Sequence, residues 1–71
     1  MSKTLIFAIR GEYIELIQLL KAVNLAESGG QAKAFVEEGL VKLNGQVESR
    51  KRAKLRPGDR VEFQNTTIVM E

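Results

Sequence analysis

The chain has 71 residues, of which 44% are apolar and 28% are charged, a composition typical of one small globular domain and not of a disordered segment. It contains no cysteine and no histidine, which excludes a disulfide framework, a thiolate zinc site and catalysis by the commonest general base. The formal net charge at pH 7 is +2, and the charges are distributed unevenly along the chain.

The first predicted element is a strand from Thr4 to Ile9, because this segment is rich in β-branched and aromatic residues. Its almost continuous apolar character predicts burial on both faces of a sheet. The apolar run is too short to span a membrane, and too little positive charge precedes it for a signal peptide. We therefore expect residues 1–71 to form one soluble, cytoplasmic domain with no membrane segment.

The second predicted element is a helix from Glu12 to about Ala26. Apolar residues recur in this segment at spacings of three and four, which is typical of a helix with one buried face. The residues on that face are Tyr13, Leu16, Ile17, Leu20 and Val23. We therefore interpret Tyr13 as a core residue and not as a stacking platform for bases. Asn24 is interpreted as a left-handed exit residue at the end of the helix.

A second helix is predicted to begin at Ser28 and to end at Gly39. Ser28 is a favourable N-cap, and Gln31 stands three residues later, as a capping box requires. Phe35 belongs to the inward face of this helix. The pair Gly29-Gly30 has two interpretations: it allows a tight turn between the helices, or it leaves the first helical amides open to a phosphate oxygen.

A β-hairpin is predicted after the second helix. Residues 40–43 form its first strand, with Lys42 on the outer side. Asn44-Gly45 is the strongest hairpin signal in the chain, because a type I′ turn needs positive φ at both central positions. Residues 46–48 form the return strand.

A second turn, Pro57-Gly58-Asp59, precedes the last two predicted strands. Val61 and Phe63 alternate with charged residues, as in a half-buried strand. Residues 66–70 form a short final strand that could pair with the first one. These elements predict an α+β fold in which two packed helices lie against a small, mainly antiparallel sheet.

A basic segment lies between the hairpin and the second turn. Residues 50–56, Arg50-Lys51-Arg52-Ala53-Lys54-Leu55-Arg56, hold five of the eleven basic residues and no acidic one. The other 64 residues hold six basic and nine acidic residues, so their net charge is −3. This segregation favours a polyanion site, and the alternative is a solvated loop that only keeps the protein soluble. We expect Ala53 and Leu55 to face the core and the neighbouring cations to point outward.

The order of these elements resembles the RNA-binding domain named after ribosomal small-subunit protein four, which is also called the αL motif. Among its members, the chain is most similar to the small stand-alone YbcJ-like proteins. The residues that carry the resemblance are Leu25-Ala26, Ser28, Gln31-Ala32-Lys33, Val36, Gly39, Val41, Leu43-Asn44-Gly45, Val47 and Gly58-Asp59.

The absence of histidine and cysteine predicts a non-catalytic protein without a cofactor or metal, and we expect it to be a monomer. The resemblance implies that its ligand is structured RNA, such as ribosomal or transfer RNA. It implies an RNA surface made by the second helix and the hairpin loop that follows. Together with the basic segment, the candidate RNA-binding residues are Ser28, Gln31, Lys33, Lys42, Asn44, Arg50, Lys51, Arg52, Lys54 and Arg56. Family members often carry a basic residue directly after the capping serine, where this chain has Gly29-Gly30.

Three alternative interpretations remain at this point. Lys33 and Lys42 could be plain surface lysines, and Asn44 could serve only as a turn former. The basic segment could bind an acidic protein, in which case the chain is a protein-interaction or ribosome assembly factor. The size and the stretch from Pro57 to Phe63 also suggest a β-grasp sulfur carrier, but such carriers use a C-terminal Gly-Gly, which this sequence does not show.

Overall fold

The computed structural model describes residues 2–71 of the protein, which form seven strands and two helices. In chain order these are β1 (Lys3–Phe7), β2 (Ile14–Glu15), α1 (Leu16–Ala22), α2 (Gly29–Glu37), β3 (Val41–Leu43), β4 (Gln46–Val47), β5 (Lys54–Leu55), β6 (Arg60–Phe63) and β7 (Thr66–Met70). Five strands form one sheet in the order β1-β7-β6-β3-β4, and β2 and β5 form a separate antiparallel ladder. The β1–β7 pair is parallel, and the other pairs are antiparallel. The predicted α+β fold is confirmed.

The core lies between the two helices and one face of the five-stranded sheet. The rings of Phe35 on α2 and Phe63 on β6 are 4.7 Å apart between centroids, which places α2 against that face. The largest fully buried side chains are Leu16, Leu19, Leu20, Leu55, Ile68, Met70, Val36, Val41 and Val61. The opposite face of the sheet carries the alternate residues of each strand, such as Lys42 and Glu62, which are cross-strand neighbours.

The first strand differs from its prediction. β1 pairs with β7 from Lys3 opposite Thr66 to Phe7 opposite Met70, so the predicted pairing of the first and last segments is confirmed. The prediction that this strand is buried on both faces is wrong, because the helices cover only one face of the sheet, on which Leu5 and Phe7 pack against the core. Ile6 therefore remains 67% exposed on the other face.

The first helix begins four residues later than predicted. Its first amides are already engaged: the backbone N–H of Leu16 donates to the carbonyl of Ala53 at 2.9 Å, and that of Ile17 donates to the carbonyl of Lys51 at 3.3 Å. The residues before Leu16 form β2, so the chain is extended there and not helical. Tyr13 is consequently 40% exposed, and its interpretation as a core residue is wrong.

The first helix also ends earlier than predicted, at Ala22, and Asn24 explains why. Asn24 has φ of 63°, a left-handed conformation that asparagine tolerates better than most residues. The N–H of Leu25 donates to the carbonyl of Leu20 at 3.0 Å, and that of Asn24 donates to the carbonyl of Lys21 at 3.1 Å. This is a Schellman arrangement, so the prediction of Asn24 as the exit residue is confirmed.

The predicted cap of α2 is confirmed. The Ser28 hydroxyl oxygen accepts from the backbone N–H of Gln31 at 3.1 Å, and the Gln31 side-chain oxygen accepts from the backbone N–H of Glu27 at 2.6 Å. At the other end Gly39 has φ of 74°, so α2 stops where predicted.

Replacing Ser28 by alanine is expected to lower the free energy of unfolding by about 0.5–2 kcal/mol, because the N–H of Gln31 loses its acceptor. Ser28→Asp keeps an acceptor oxygen and is the matched control. We expect it to change the free energy of unfolding by no more than a few tenths of a kcal/mol. Urea unfolding of both variants measures the difference. Equal losses in the two variants would show that the cap does not stabilise the helix.

Candidate functional site

Residues 52–56 alternate strictly between exposed and buried side chains. Arg52, Lys54 and Arg56 are exposed, whereas Ala53 is 4% exposed and Leu55 is fully buried. This period of two is that of a strand with one face on the core, and it places the three cations on the solvent side. The prediction that Ala53 and Leu55 face the core is therefore confirmed.

Backbone pairing fixes the position of the basic segment. Ile14 is opposite Leu55 and Glu15 is opposite Lys54 in the β2–β5 ladder. The first two amides of α1 extend this pairing by donating to carbonyls of the segment. The main chain of the segment is therefore held both by the β2–β5 ladder and by the first amides of α1. Because of this, the cationic side chains project from a fixed backbone and not from a free loop. A depression of about 410 Å³ on this surface is lined by Arg50, Arg52, Ala53, Lys54 and Arg56.

Two of the five cations have acidic partners. The Arg50 guanidinium contacts Glu48 through Nε–Oε2 at 3.1 Å and Nη2–Oε1 at 3.2 Å. The Arg52 Nε lies 3.8 Å from a carboxylate oxygen of Glu15, a looser pair. Both arginine side chains remain more than three-quarters exposed, so each keeps part of its hydrogen-bonding capacity for a ligand.

The other three cations keep their full charge available. Within residues 2–71, Lys51, Lys54 and Arg56 have no carboxylate within 4 Å of their charged nitrogens. The Lys54 Nζ lies 4.9 Å from the centroid of the Tyr13 ring, a cation–π contact that orients the ammonium without neutralising it. These three cations thus carry the uncompensated positive charge of the basic segment.

The Glu48–Arg50 pair also affects the titration of Glu48. Hydrogen bonds from the Arg50 side chain, and then from its backbone N–H, stabilise the ionised carboxylate and lower the pKa of Glu48 below its ordinary value. A lowered pKa means that this stabilisation is present at neutral pH. It is lost as the pH falls through the pKa of the folded state.

We expect Arg50→Gln to raise the pKa of Glu48 towards its ordinary value, because the largest cause of the shift is removed. Arg52→Gln is the matched control, since its partner is Glu15. A pH titration of the Glu48 carboxyl carbon by NMR measures both variants. A Glu48 pKa that is unchanged in Arg50→Gln would contradict the observed pairing.

The side chain of Asn44 links two turns. Its amide nitrogen donates to Asp59 Oδ1 at 3.2 Å, and its oxygen accepts from the Arg60 backbone N–H at 2.9 Å. The other oxygen of Asp59 accepts from the backbone N–H of Arg56 at 2.8 Å. Asn44 and Gly45 have φ of 52° and 88°, as the predicted type I′ turn requires. Asn44 therefore positions Arg56 through Asp59.

The start of α2 is a second candidate surface. The oxygens of Ser28 and Gln31 are already engaged in capping, so the groups left for a ligand are the amides that follow Ser28 and the exposed Lys33. A Cβ atom added at Gly29 would meet nothing within 4 Å, and one at Gly30 would meet only the Ser28 hydroxyl at 3.9 Å. A phosphate could therefore approach the backbone closely here.

Lys42 lies apart from the start of α2. Val41 is fully buried and Leu43 packs against the core, so Lys42 between them lies on the opposite face of the sheet from the helices. Its cross-strand neighbours are Val47 and Glu62. The structure brings the cations of the basic segment together, but it does not bring Lys42 to the α2 surface.

The described residues 2–71 include no helix long and apolar enough to cross a membrane. Over the same range, no group of three or more acidic, histidine or cysteine side chains could hold a metal ion.

Comparisons with known proteins agree with this architecture. The S4 domain family model matches residues 7–71. YbcJ of Escherichia coli (strain K12) is 45% identical over 56 residues, covering 79% of this chain and 80% of that protein. "Probable ribosome maturation protein RlbA" of Bacillus subtilis (strain 168) is 40% identical over 57 residues, covering 80% of each.

A solved structure is also similar. The solution structure of Escherichia coli YbcJ, described as revealing an αL motif involved in RNA binding, has a TM-score of 0.69 and 40% sequence identity. The match covers 97% of this chain and 91% of that one. With the family match, the relatives and the shared helix pair and sheet in agreement, this chain belongs to the S4 domain family.

Proposed function

We propose that this protein is a non-catalytic, cytoplasmic RNA-binding protein whose residues 1–71 act as one domain on structured ribosomal or transfer RNA. The observation that carries the proposal is the outward projection of Arg52, Lys54 and Arg56 from a base fixed by backbone pairing. The names of its relatives support it, since one structure is described with a motif involved in RNA binding and another relative with ribosome maturation.

The basic segment would bind the phosphate backbone. Arginine guanidinium groups hold phosphate oxygens in pairs, and lysine ammonium groups act as point charges. A second set of phosphate contacts would come from the open amides of Gly29 and Gly30, with Lys33 beside them on α2. Backbone contacts of this kind recognise the shape of a folded RNA more than its sequence.

A salt titration tests the proposal. Fluorescently labelled ribosomal RNA fragments and a transfer RNA are titrated with the protein between about 50 and 200 mM salt. We expect the logarithm of the affinity to fall linearly with the logarithm of salt, with a slope of about 0.7–0.9 per phosphate contact and thus of at least about 2 for three free cations, which is a fall of about 1.3 log units over this range. Polyglutamate of equal charge is the control ligand. Absence of RNA binding at the lowest salt, or equal affinity for polyglutamate, would contradict the proposal.

The second candidate is a ribosome assembly factor that uses the basic segment on an acidic protein. The observation that favours it is the ribosome maturation name of the Bacillus relative. A pull-down with and without ribonuclease separates the two functions. Partner proteins that remain bound after RNA digestion would favour the protein-binding function, whereas their loss would favour RNA.

A further inference from the structure

The exposed ring of Tyr13 lines a cavity of about 460 Å³, which we call the Tyr13 cavity. It lies between the end of β1 and the β2–α1 junction and is lined by Phe7, Ala8, Arg10, Tyr13, Ile14 and Gln18. These residues supply two aromatic side chains, one cation and one amide, and no acidic group. A cavity of this size can enclose a small planar ligand.

Tyr13 lies where the Tyr13 cavity meets the basic segment. Ile14 is opposite Leu55 in the β2–β5 ladder, so Tyr13 lies at the end of the ladder that leads towards Arg56. The Lys54 ammonium is already 4.9 Å from the Tyr13 centroid. A ring has two faces, and one ammonium covers at most one of them, which agrees with the 40% exposure of Tyr13.

The ligand chemistry that fits is an aromatic base attached to phosphates. Unpaired bases stack on exposed tyrosine rings, and the cations beside such a ring bind the flanking phosphates. We propose that the Tyr13 cavity binds one unpaired base of the RNA, stacked on Tyr13, with Arg10 and Lys54 beside its phosphates. This inference rests on the proposed function. It adds a preference for RNA in which unpaired nucleotides lie next to a double-stranded region.

Intrinsic fluorescence reports on this cavity directly. Tyr13 is the one tyrosine of the chain, and there is no tryptophan, so tyrosine emission comes from this residue alone. We expect an RNA hairpin with an unpaired loop to quench the emission, after correction for absorption by the RNA. The same sequence closed into a full duplex leaves the emission unchanged. Equal quenching by loop and duplex would overturn the proposal.

Two variants supply an independent measurement. Tyr13→Ala is expected to weaken binding of the loop RNA about 5- to 100-fold without changing the salt dependence, because stacking releases no counterion. Tyr13→Phe keeps the ring and should bind within a few-fold of the wild type. Urea unfolding verifies that both variants are folded. An unchanged affinity in Tyr13→Ala would overturn the proposal.

The outcomes also separate this inference from the proposed function. If Tyr13→Ala binds normally while neutralising the basic segment abolishes binding, the protein binds RNA but the cavity holds no base. Adenosine monophosphate is the probe for a free nucleotide, and we expect it to bind far more weakly than the loop RNA, since it lacks the other phosphate contacts. Equal affinity for the mononucleotide would overturn the assignment to an RNA base.

Discussion

Replacing Lys54 and Arg56 together by glutamine is expected to weaken RNA binding about ten- to hundred-fold at about 0.1 M salt. Both cations are exposed and have no acidic partner within 4 Å in residues 2–71. Each contact with a phosphate contributes about 0.7–0.9 log units at this salt concentration relative to 1 M, through counterion release. The slope of log affinity against log salt should therefore also fall, by about 1.4–1.8.

The matched control removes two charges elsewhere. Lys3 is the first residue of β1, and Lys21 lies in the last turn of α1. Each is therefore at the end of its element that is farther from the Tyr13 cavity. Lys3→Gln with Lys21→Gln lowers the net charge by the same amount and should change the affinity by only a few-fold. Filter binding or fluorescence anisotropy across a salt series measures both pairs. Equal losses in the two double variants would show that net charge, and not the basic segment, determines binding.

Arg50→Gln should have a smaller effect than the loss of either Lys54 or Arg56. Its guanidinium is held by Glu48 through two nitrogens, so a phosphate would have to compete with a carboxylate that is already in place. The order of effects within one segment thus reports the ion pairing seen in the structure. Single variants measured at one salt concentration establish that order.

Local patterns in the sequence predicted the caps and turns correctly. The Ser28–Gln31 cap, the backbone turn at Asn44-Gly45 and the left-handed Asn24 are set by residues a few positions apart, and all were confirmed. The exposed and buried alternation of the basic segment was also predictable, because Ala53 and Leu55 are apolar residues set between cations. Such features depend on short-range chemistry that the sequence shows directly.

The pairing of distant segments was not predictable in the same way. The segment from Tyr13 to Val23 has helical spacing throughout, but its first residues pair with the basic segment some forty positions later. That pairing moves Tyr13 from the predicted core to the surface. The contact between Arg52 and Glu15 was missed for the same reason, because it exists only where β2 and β5 are adjacent.

Replacing Leu55 by alanine is expected to lower the free energy of unfolding by about 2–5 kcal/mol. Leu55 is fully buried, belongs to the hydrophobic core and is paired with Ile14. A chain of this length has a total stability of about 4–11 kcal/mol, so the substitution removes a large part of it. Loss of this anchor also loosens the base from which the neighbouring cations project.

Leu40→Ala is the matched control, because it makes the same chemical change at a side chain that is 49% exposed, and it should cost less than about 1 kcal/mol. Leu55→Met keeps the apolar volume and should cost less than about 1.5 kcal/mol. Urea unfolding followed by circular dichroism measures all three variants at constant salt. If Leu55→Ala were no more destabilising than Leu40→Ala, Leu55 would not be a core residue. The burial of Leu55 could then not explain why the basic segment is held rigidly.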